Sequence, residues 1–225
     1  MGVLGINMSK KIKLDIVSDV VCPWCIIGYK RLDAAIKELG MEDNIKIEWQ
    51  PFQLNPDMPP EGEDLRAHLK RKYGTTLEDS IRFRKEMAEL GEEVGFKFDY
   101  FDGLKAVNTL DAHILLEYAK SVGKQTELKN RLFASFYSEQ KDISNKSILE
   151  QELQSVGLNV DDAMACLDDD ILRNHVRAQE QQWKQTGISG VPTIVFNRES
   201  AISGAQSVDT YKQVLTELAK AVVVN

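Results

Sequence analysis

Cys22 and Cys25 stand three positions apart in Val20-Val21-Cys22-Pro23-Trp24-Cys25. The run before them, Ile12-Lys13-Leu14-Asp15-Ile16-Val17, is strand-like, and a helical pattern follows from Ile26 to Leu39. Residues i and i+3 at a helix start lie about 5–6 Å apart. A disulfide needs Cα separations of about 4.4–6.8 Å, so this pair is placed to close and open one with little backbone movement. The unpaired N–H groups and roughly half positive charge of a helix N-terminus favour a thiolate, the reactive form of cysteine. A Cys-x-x-Cys between a first strand and a first helix therefore reads as a thiol–disulfide redox site. Cys22, nearest the helix start, is the expected nucleophile, with a thiol below the free value of about 8.5. Cys25, one turn deeper, is expected to titrate higher and to act as the resolving thiol.

Two other chemistries compete for the pair. A structural zinc site needs four ligands. The third cysteine, Cys166, has no cysteine nearby, and His68, His113 and His175 are scattered. No metal and no organic cofactor are expected. A static disulfide here closes a loop too small to remove much unfolded-state entropy.

The elements that position the pair follow from periodicity. Lys11–Ser18 alternates polar and apolar, Pro23–Leu39 is amphipathic with Gly40 as its stop, and Ile45–Gln50 alternates again. Pro51, Pro56, Pro59 and Pro60 make the next stretch a loop. From Glu61 to Gln185 the pattern is helical throughout: 64–73, 76–94 capped by Thr76, 104–121, 125–138, 146–156, a segment capped by Asn159 or Asp161 and running toward Leu167, and 168–185. Phe96, Phe98, Tyr100 and Phe101 form an aromatic connection within it. Strand signals return in Thr193-Ile194-Val195-Phe196 and Ala201-Ile202-Ser203, and Ser207–Val222 is a terminal amphipathic helix. The simplest closure is one mixed sheet built from both ends, with the helices between. Val191-Pro192-Thr193 follows two glycines, and a cis bond at Pro192, facing Cys22 across a groove, is expected.

With 225 residues, 43% hydrophobic and 28% charged, the chain suits one large domain or a domain with an inserted subdomain. A net charge of -7 and the lack of a Lys/Arg run argue against nucleic acid as a partner. Residues 1–8 lack the basic region and the ~7–15 apolar residues of a secretory leader, and no stretch approaches the ~18 apolar residues of a membrane span. A cytoplasmic location with no membrane partner is expected, where disulfides are more often catalytic than structural. Residues 1–10 read as a loose arm, with Met8 as an alternative start.

Taken together, Cys-Pro-Trp-Cys at 22–25, Pro51-Phe-Gln-Leu-Asn-Pro-Asp-Met-Pro-Pro60, Asn108-Thr-Leu-Asp-Ala-His113 and Gly187-Ile-Ser-Gly-Val-Pro-Thr193 resemble the DsbA-like branch of the thioredoxin superfamily, most closely its FrnE-like members. The likeness runs from about Ile12 to Ala221. It implies an α/β, thioredoxin-like fold in two parts, residues 11–60 and 187–222, with a large helical insertion at 61–186. It also implies thiol–disulfide exchange at Cys22 and Cys25, with substrate contacts from Pro23, Trp24, Asn108, His113, Val191, Pro192 and Thr193. Partners are then protein thiols or glutathione, the latter as co-substrate, and the chain is a monomer or homodimer. Kappa-class glutathione transferases and 2-hydroxychromene-2-carboxylate isomerases are similar in fold and in the Asn108–His113 region, but they typically carry serine at the position of Cys22 and lack the redox pair. A glutathione-dependent isomerase or transferase of an aromatic molecule is the alternative, and a chaperone-like binding module is a third reading. Asp19 reads as a proton relay or a loop cap, His113 as a site or packing residue, Cys166 as a small hydrophobe, and Asp168–Asp170 as a helix N-terminal cluster.

Overall fold

The computed structural model describes residues 11–224, so the arm expected at 1–10 lies outside them. Strand β1 (Ile12–Ser18) leads into helix α1 (Pro23–Glu38) and strand β2 (Ile45–Pro51). Seven helices and a short ribbon follow: β3 (Glu63–Asp64), α2 (Leu65–Tyr73), α3 (Leu77–Glu93), β4 (Lys105–Ala106), α4 (Leu110–Ser121), α5 (Gln125–Tyr137), α6 (Lys146–Ser155), α7 (Val160–Ala165) and α8 (Asp170–Gln185). The chain then returns to β5 (Thr193–Phe196), β6 (Ser200–Ser203) and α9 (Val208–Val224).

The main sheet has the order β2-β1-β5-β6. β1 runs parallel to β2, with Ile16 beside Trp49, and antiparallel to β5, with Leu14 beside Phe196. A strand with neighbours on both sides and helices over the sheet must be apolar on both faces. Accordingly Ile12, Leu14, Ile16 and Val17 are all buried. α1 packs with α9, while α4, α5 and α8 pack against β2. This is the thioredoxin-like arrangement, with its sheet assembled from the two ends of the chain.

Local chemistry sets most helix starts. Thr76 and Asp79 form a reciprocal capping box at α3, and Asp64, Asn145, Asn159 and Asp169 cap α2, α6, α7 and α8. Such a cap typically contributes about 1 kcal/mol. The expected helix 104–121 is shorter than its periodicity suggests. Asn108 accepts from the Leu110 N–H at 3.0 Å and donates to the Met58 carbonyl at 3.1 Å, so the helix begins at Leu110. Lys105–Ala106 instead pairs with Glu63–Asp64. Gly62 allows that approach, since a Cβ there meets the Ala106 carbonyl oxygen at 2.7 Å.

Glu48 on β2 links the sheet to α4. It pairs with Lys13 at 3.0 Å and Lys120 at 3.4 Å and accepts from Gln50 at 3.0 Å. Burial pushes its carboxyl up, but the Lys13 hydrogen bond and the Lys120 charge outweigh burial and hold it down at about 2. A folded-state value below the ordinary 4.5 gives stability that is complete above that pH and lost as pH falls toward about 2. Glu48→Gln is therefore expected to flatten the acid limb of the unfolding profile between those values. An unchanged acid limb in denaturant titrations at stepped pH sinks this reading.

Candidate active site

Cys22 is the N-cap of α1, in extended backbone at φ -98° and ψ 111°, with Pro23 as the first helical residue. Proline suits that position because its missing N–H has no helical partner to lose. The Cys25 N–H donates to the Cys22 carbonyl at 3.1 Å, which turns both side chains to the same side. Both are free thiols, and each shifts the acidity of the other. Cys22 is 4% exposed and reaches a cavity; Cys25 is fully buried beneath it.

The loop before β5 closes over the pair. The Val191–Pro192 bond is cis, and the Cys22 thiol points at the Val191 carbonyl oxygen 3.8 Å away. Gly28 on α1 makes room for this loop: a Cβ there lies 3.2 Å from Pro192 Cγ and 3.4 Å from Ala205 Cα. Any larger residue at 28 presses the loop away from the thiol.

The cavity measures about 590 Å³. Its floor is Cys22, Pro23, Trp24 and Val191. One wall is aromatic, running edge to face from Trp24 to Phe83 at 6.5 Å, Phe83 to Tyr100 at 6.5 Å, and Tyr100 to Tyr137 at 5.4 Å. The Tyr137 hydroxyl donates to the Val21 carbonyl at 2.7 Å, tying this wall to the redox turn. Burial raises both tyrosines, so they stay neutral. Leu65 and Leu69 on α2 and Leu54 and Asn55 of the proline-rich loop form the opposite side, and Arg66, Lys72, Arg82 and Arg84 line its polar parts. An apolar slot with a reactive sulfur at its base and cations above suits an extended or branched thiol carrying negative charge.

The two thiols share their proton unequally. The hydrogen bond Cys22 gives to Cys25, followed by burial, raises the Cys22 thiol well above its ordinary value. Burial also penalises charge on Cys25, but the Cys22 and Ser18 hydrogen bonds and the Lys129 charge prevail and lower it. This reverses the expectation that the outer thiol ionises first. Beyond the helix start, the inner sulfur has the Cys22 and Ser18 hydrogen bonds and the Lys129 charge in its favour.

Other expected residues fall elsewhere. Asp19 and His113 are buried together, His113 Nε2 lying 3.3 Å from Asp19 Oδ1 and 3.1 Å from the Phe52 carbonyl. The second Asp19 oxygen accepts from the Leu54 N–H at 2.8 Å. These two residues hold the proline-rich loop and do not line the Cys22 cavity. Asn108, just before α4, holds the same loop through Met58. Thr193 is buried in β5, with its hydroxyl on the Gly190 carbonyl at 2.9 Å. Asn108, His113, Pro192 and Thr193 thus do not line the Cys22 cavity, while Pro23, Trp24 and Val191 do.

Sequence reading missed Phe83, Tyr100 and Tyr137 as one wall, because they come from three separate elements. It also missed Lys129, although a signal existed: Lys129 stands three, four and seven residues before Leu132, Phe133 and Phe136, on the buried stripe of α5. Cys166 gives its thiol to the Asp162 carbonyl at 3.3 Å, far along the chain from the pair.

The profile of a family described as DSBA-like thioredoxin domain matches residues 13–216. A probable DsbA oxidoreductase from Streptomyces coelicolor is 26% identical, superposes with a TM-score of 0.87, and covers 93% of this chain and 90% of its own. A 2-hydroxychromene-2-carboxylate isomerase is similar at a TM-score of 0.70 and 13% identity, over 93% of this chain and 97% of its own. The cytosolic disulfide reductase DsbM from Pseudomonas aeruginosa, solved with GSH, is similar at 0.65 and 20%, over 92% and 99%.

Proposed function

Since the chain belongs to the family of DSBA-like thioredoxin domains, we propose that it is a thiol–disulfide oxidoreductase whose working pair is Cys22 and Cys25. The observation that carries this reading is the pair of free thiols at the start of α1, of which Cys22 alone opens on the cavity under the cis Val191–Pro192 loop. In the reducing direction Cys22 attacks a substrate disulfide while its shared proton passes to Cys25. A mixed disulfide forms at Cys22 and one substrate thiolate leaves. Cys25 then gives up its proton and attacks the Cys22 sulfur, and the second substrate thiolate departs. Two electrons move from the pair to the substrate. In the oxidising direction a substrate thiolate attacks Cys22 of the disulfide and expels Cys25 as thiolate. A leaving thiol held acidic leaves faster, and the surroundings of Cys25 supply that.

Substrates in this reading are thiols of proteins or of small molecules. Glutathione is the first to test, supported by the cations lining the cavity and by the fold likeness to DsbM. A cytoplasmic location is proposed with it. Residues 61–186 act as an insertion that supplies the cavity's walls. The test is equilibration of the purified protein with glutathione and oxidised glutathione, followed by alkylation and mass analysis. A reversible shift of two hydrogens at Cys22 and Cys25, with insulin-disulfide reduction lost in the Cys22→Ser, Cys25→Ser double variant, is expected. Retention of exchange by the double variant overturns the reading.

A further inference from the structure

Three buried side-chain polar atoms lack a partner among the described residues, and two of them, Arg66 Nε and the Tyr100 hydroxyl, belong to residues that line the Cys22 cavity. A buried donor left unpaired costs more than a made bond returns, so folded proteins leave few of them. Their neighbours hold the two residues in place without satisfying these atoms. Arg66 on α2 gives its outer nitrogen to Asp102 at 2.9 Å, and Arg84 on α3 reaches the same Asp102 oxygen at 3.2 Å. The Arg84 guanidinium stands 5.7 Å from the Tyr100 ring centre, which joins Tyr100 to the same group. One exposed carboxylate thus serves two guanidiniums and leaves this wall positively charged, in a chain whose net charge is -7. Tyr100 lies 5.4 Å from Tyr137, whose hydroxyl is bonded to Val21 beside the redox pair. Arg66 also borders a second cavity, between α2 and the start of α3, that no residue of the redox turn lines. Tyr100 is therefore the donor at the redox-turn end of the wall, and Arg66 the donor further along.

Resting on the oxidoreductase reading, we propose that Arg66 and Tyr100 determine specificity by selecting a small peptide-like thiol with a free carboxylate. The Arg66 Nε–H and charge take the carboxylate, and the Tyr100 O–H donates to an amide carbonyl nearer the sulfur. Both unpaired donors are then satisfied, and only by a substrate with acceptors at both places. Glutathione has that layout, with an amide carbonyl on its cysteine and a carboxylate one residue further on, at about 3.3–3.6 Å per extended residue. Burial keeps the Tyr100 hydroxyl protonated, so it remains a donor. The chemistry itself is unchanged. The Cys22 sulfur attacks one sulfur of the substrate disulfide, the mixed disulfide forms, the substrate S–S bond breaks, and one glutathione leaves as thiolate.

The test is oxidation of the reduced protein, followed by rapid mixing, with three disulfides: oxidised glutathione, its ester blocked at both glycine carboxylates, and hydroxyethyl disulfide, which has neither carboxylate nor amide. Wild type should favour oxidised glutathione over the ester by about ten- to a hundredfold, the worth of a hydrogen bond to a charged group. Arg66→Met keeps the apolar stem and leaves Asp102 paired with Arg84. It should abolish that preference by raising the half-saturating concentration of oxidised glutathione, while the limiting rate and the other two disulfides change by less than about twofold. Arg66→Lys keeps the charge without the Nε donor and should recover part of the preference. Tyr100→Phe should slow glutathione and ester alike, by about three- to tenfold, and leave hydroxyethyl disulfide unchanged. A wild type that treats acid and ester equally overturns the proposal, and this arm needs no variant. So does an Arg66→Met protein that keeps the preference or slows all three disulfides equally. Insulin reduction driven by dithiothreitol should be unaffected by Arg66→Met; an equal loss there means that the carboxylate comes from a polypeptide, and the small-thiol assignment falls. If wild type reacts with none of the three disulfides, it is the oxidoreductase reading that falls.

Discussion

Cys25→Ser is expected to accumulate a mixed disulfide at Cys22, approaching one adduct per chain, when incubated with oxidised glutathione. The geometry dictates the order of events. Cys22 faces the cavity under the Val191 carbonyl, while Cys25 is sealed beneath it. Attack therefore occurs at Cys22, and without Cys25 nothing expels the adduct. Cys22→Ser should give almost no adduct and lose essentially all turnover, since the remaining thiol is fully buried. Intact mass measurements on the two variants settle the order. Equal adduct on both means that Cys25 is reached by substrate and the roles assigned here are wrong. The acidity of Cys25 does not alter this order: access selects the attacking sulfur, and acidity selects the better leaving group.

The second large effect concerns the loop of residues 51–60. Glu180 on α8 is buried, and its two oxygens accept from the Gln53 N–H and the Gln53 side-chain amide, each at 2.9 Å. Lys184 adds a third bond at 2.7 Å. Hydrogen bonds to a charged group are worth about 1.5–3 kcal/mol each, and orphaned buried donors carry their own penalty. Glu180→Ala is therefore expected to cost about 3–5 kcal/mol of stability. Glu180→Gln keeps an acceptor for the Gln53 N–H and should recover part of the loss. Denaturant unfolding of the three proteins reads this directly. A loss below about 1 kcal/mol for Glu180→Ala indicates that the loop is held by its other ties. Those include Asp19 to Leu54, His113 to the Phe52 carbonyl, Asn108 to Met58, His68 to Asn55, and Lys72 to the Leu54 carbonyl and Asn55. Because Leu54 and Asn55 line the cavity, the same variant should weaken substrate binding more than it slows exchange.

The legible parts of the molecule were those written in short-range pattern. The redox turn, β1, α1 and β5 follow from alternation and helical spacing, and Thr76 announces α3 by its side chain alone. Caps and turns are local chemistry, so single residues reveal them. What escaped the sequence depends on distant partners. β3 and β4 are two residues each and leave no period to detect. Their pairing rests on Gly62 lying under Ala106. Asn108 and His113 were legible as polar residues at notable positions, but their partners in the proline-rich loop lie 50 and 61 residues away. Nothing local distinguishes a residue that clamps a loop from one that meets substrate. The order of ionisation of Cys22 and Cys25 was misjudged because the helix start was weighed alone: the contact between the two sulfurs, burial, Ser18 and, last, Lys129 act on the pair as well.

The placement of β1 has a consequence for how the chain is made. Its parallel neighbour β2 follows within one helix, but its antiparallel neighbour pairs Leu14 with Phe196. The Val191 carbonyl over Cys22 lies 169 residues further on. During synthesis the chain emerges at about 5–20 residues per second, so for on the order of ten seconds the nascent protein carries its two thiols on a half-built sheet. Long-range pairing of this kind is slow to nucleate because the loop must close before any contact rewards it. The Val191 loop can cover Cys22 only late in synthesis, and the interval before it is when the pair is open to alkylation, oxidation or a wrong bond to Cys166.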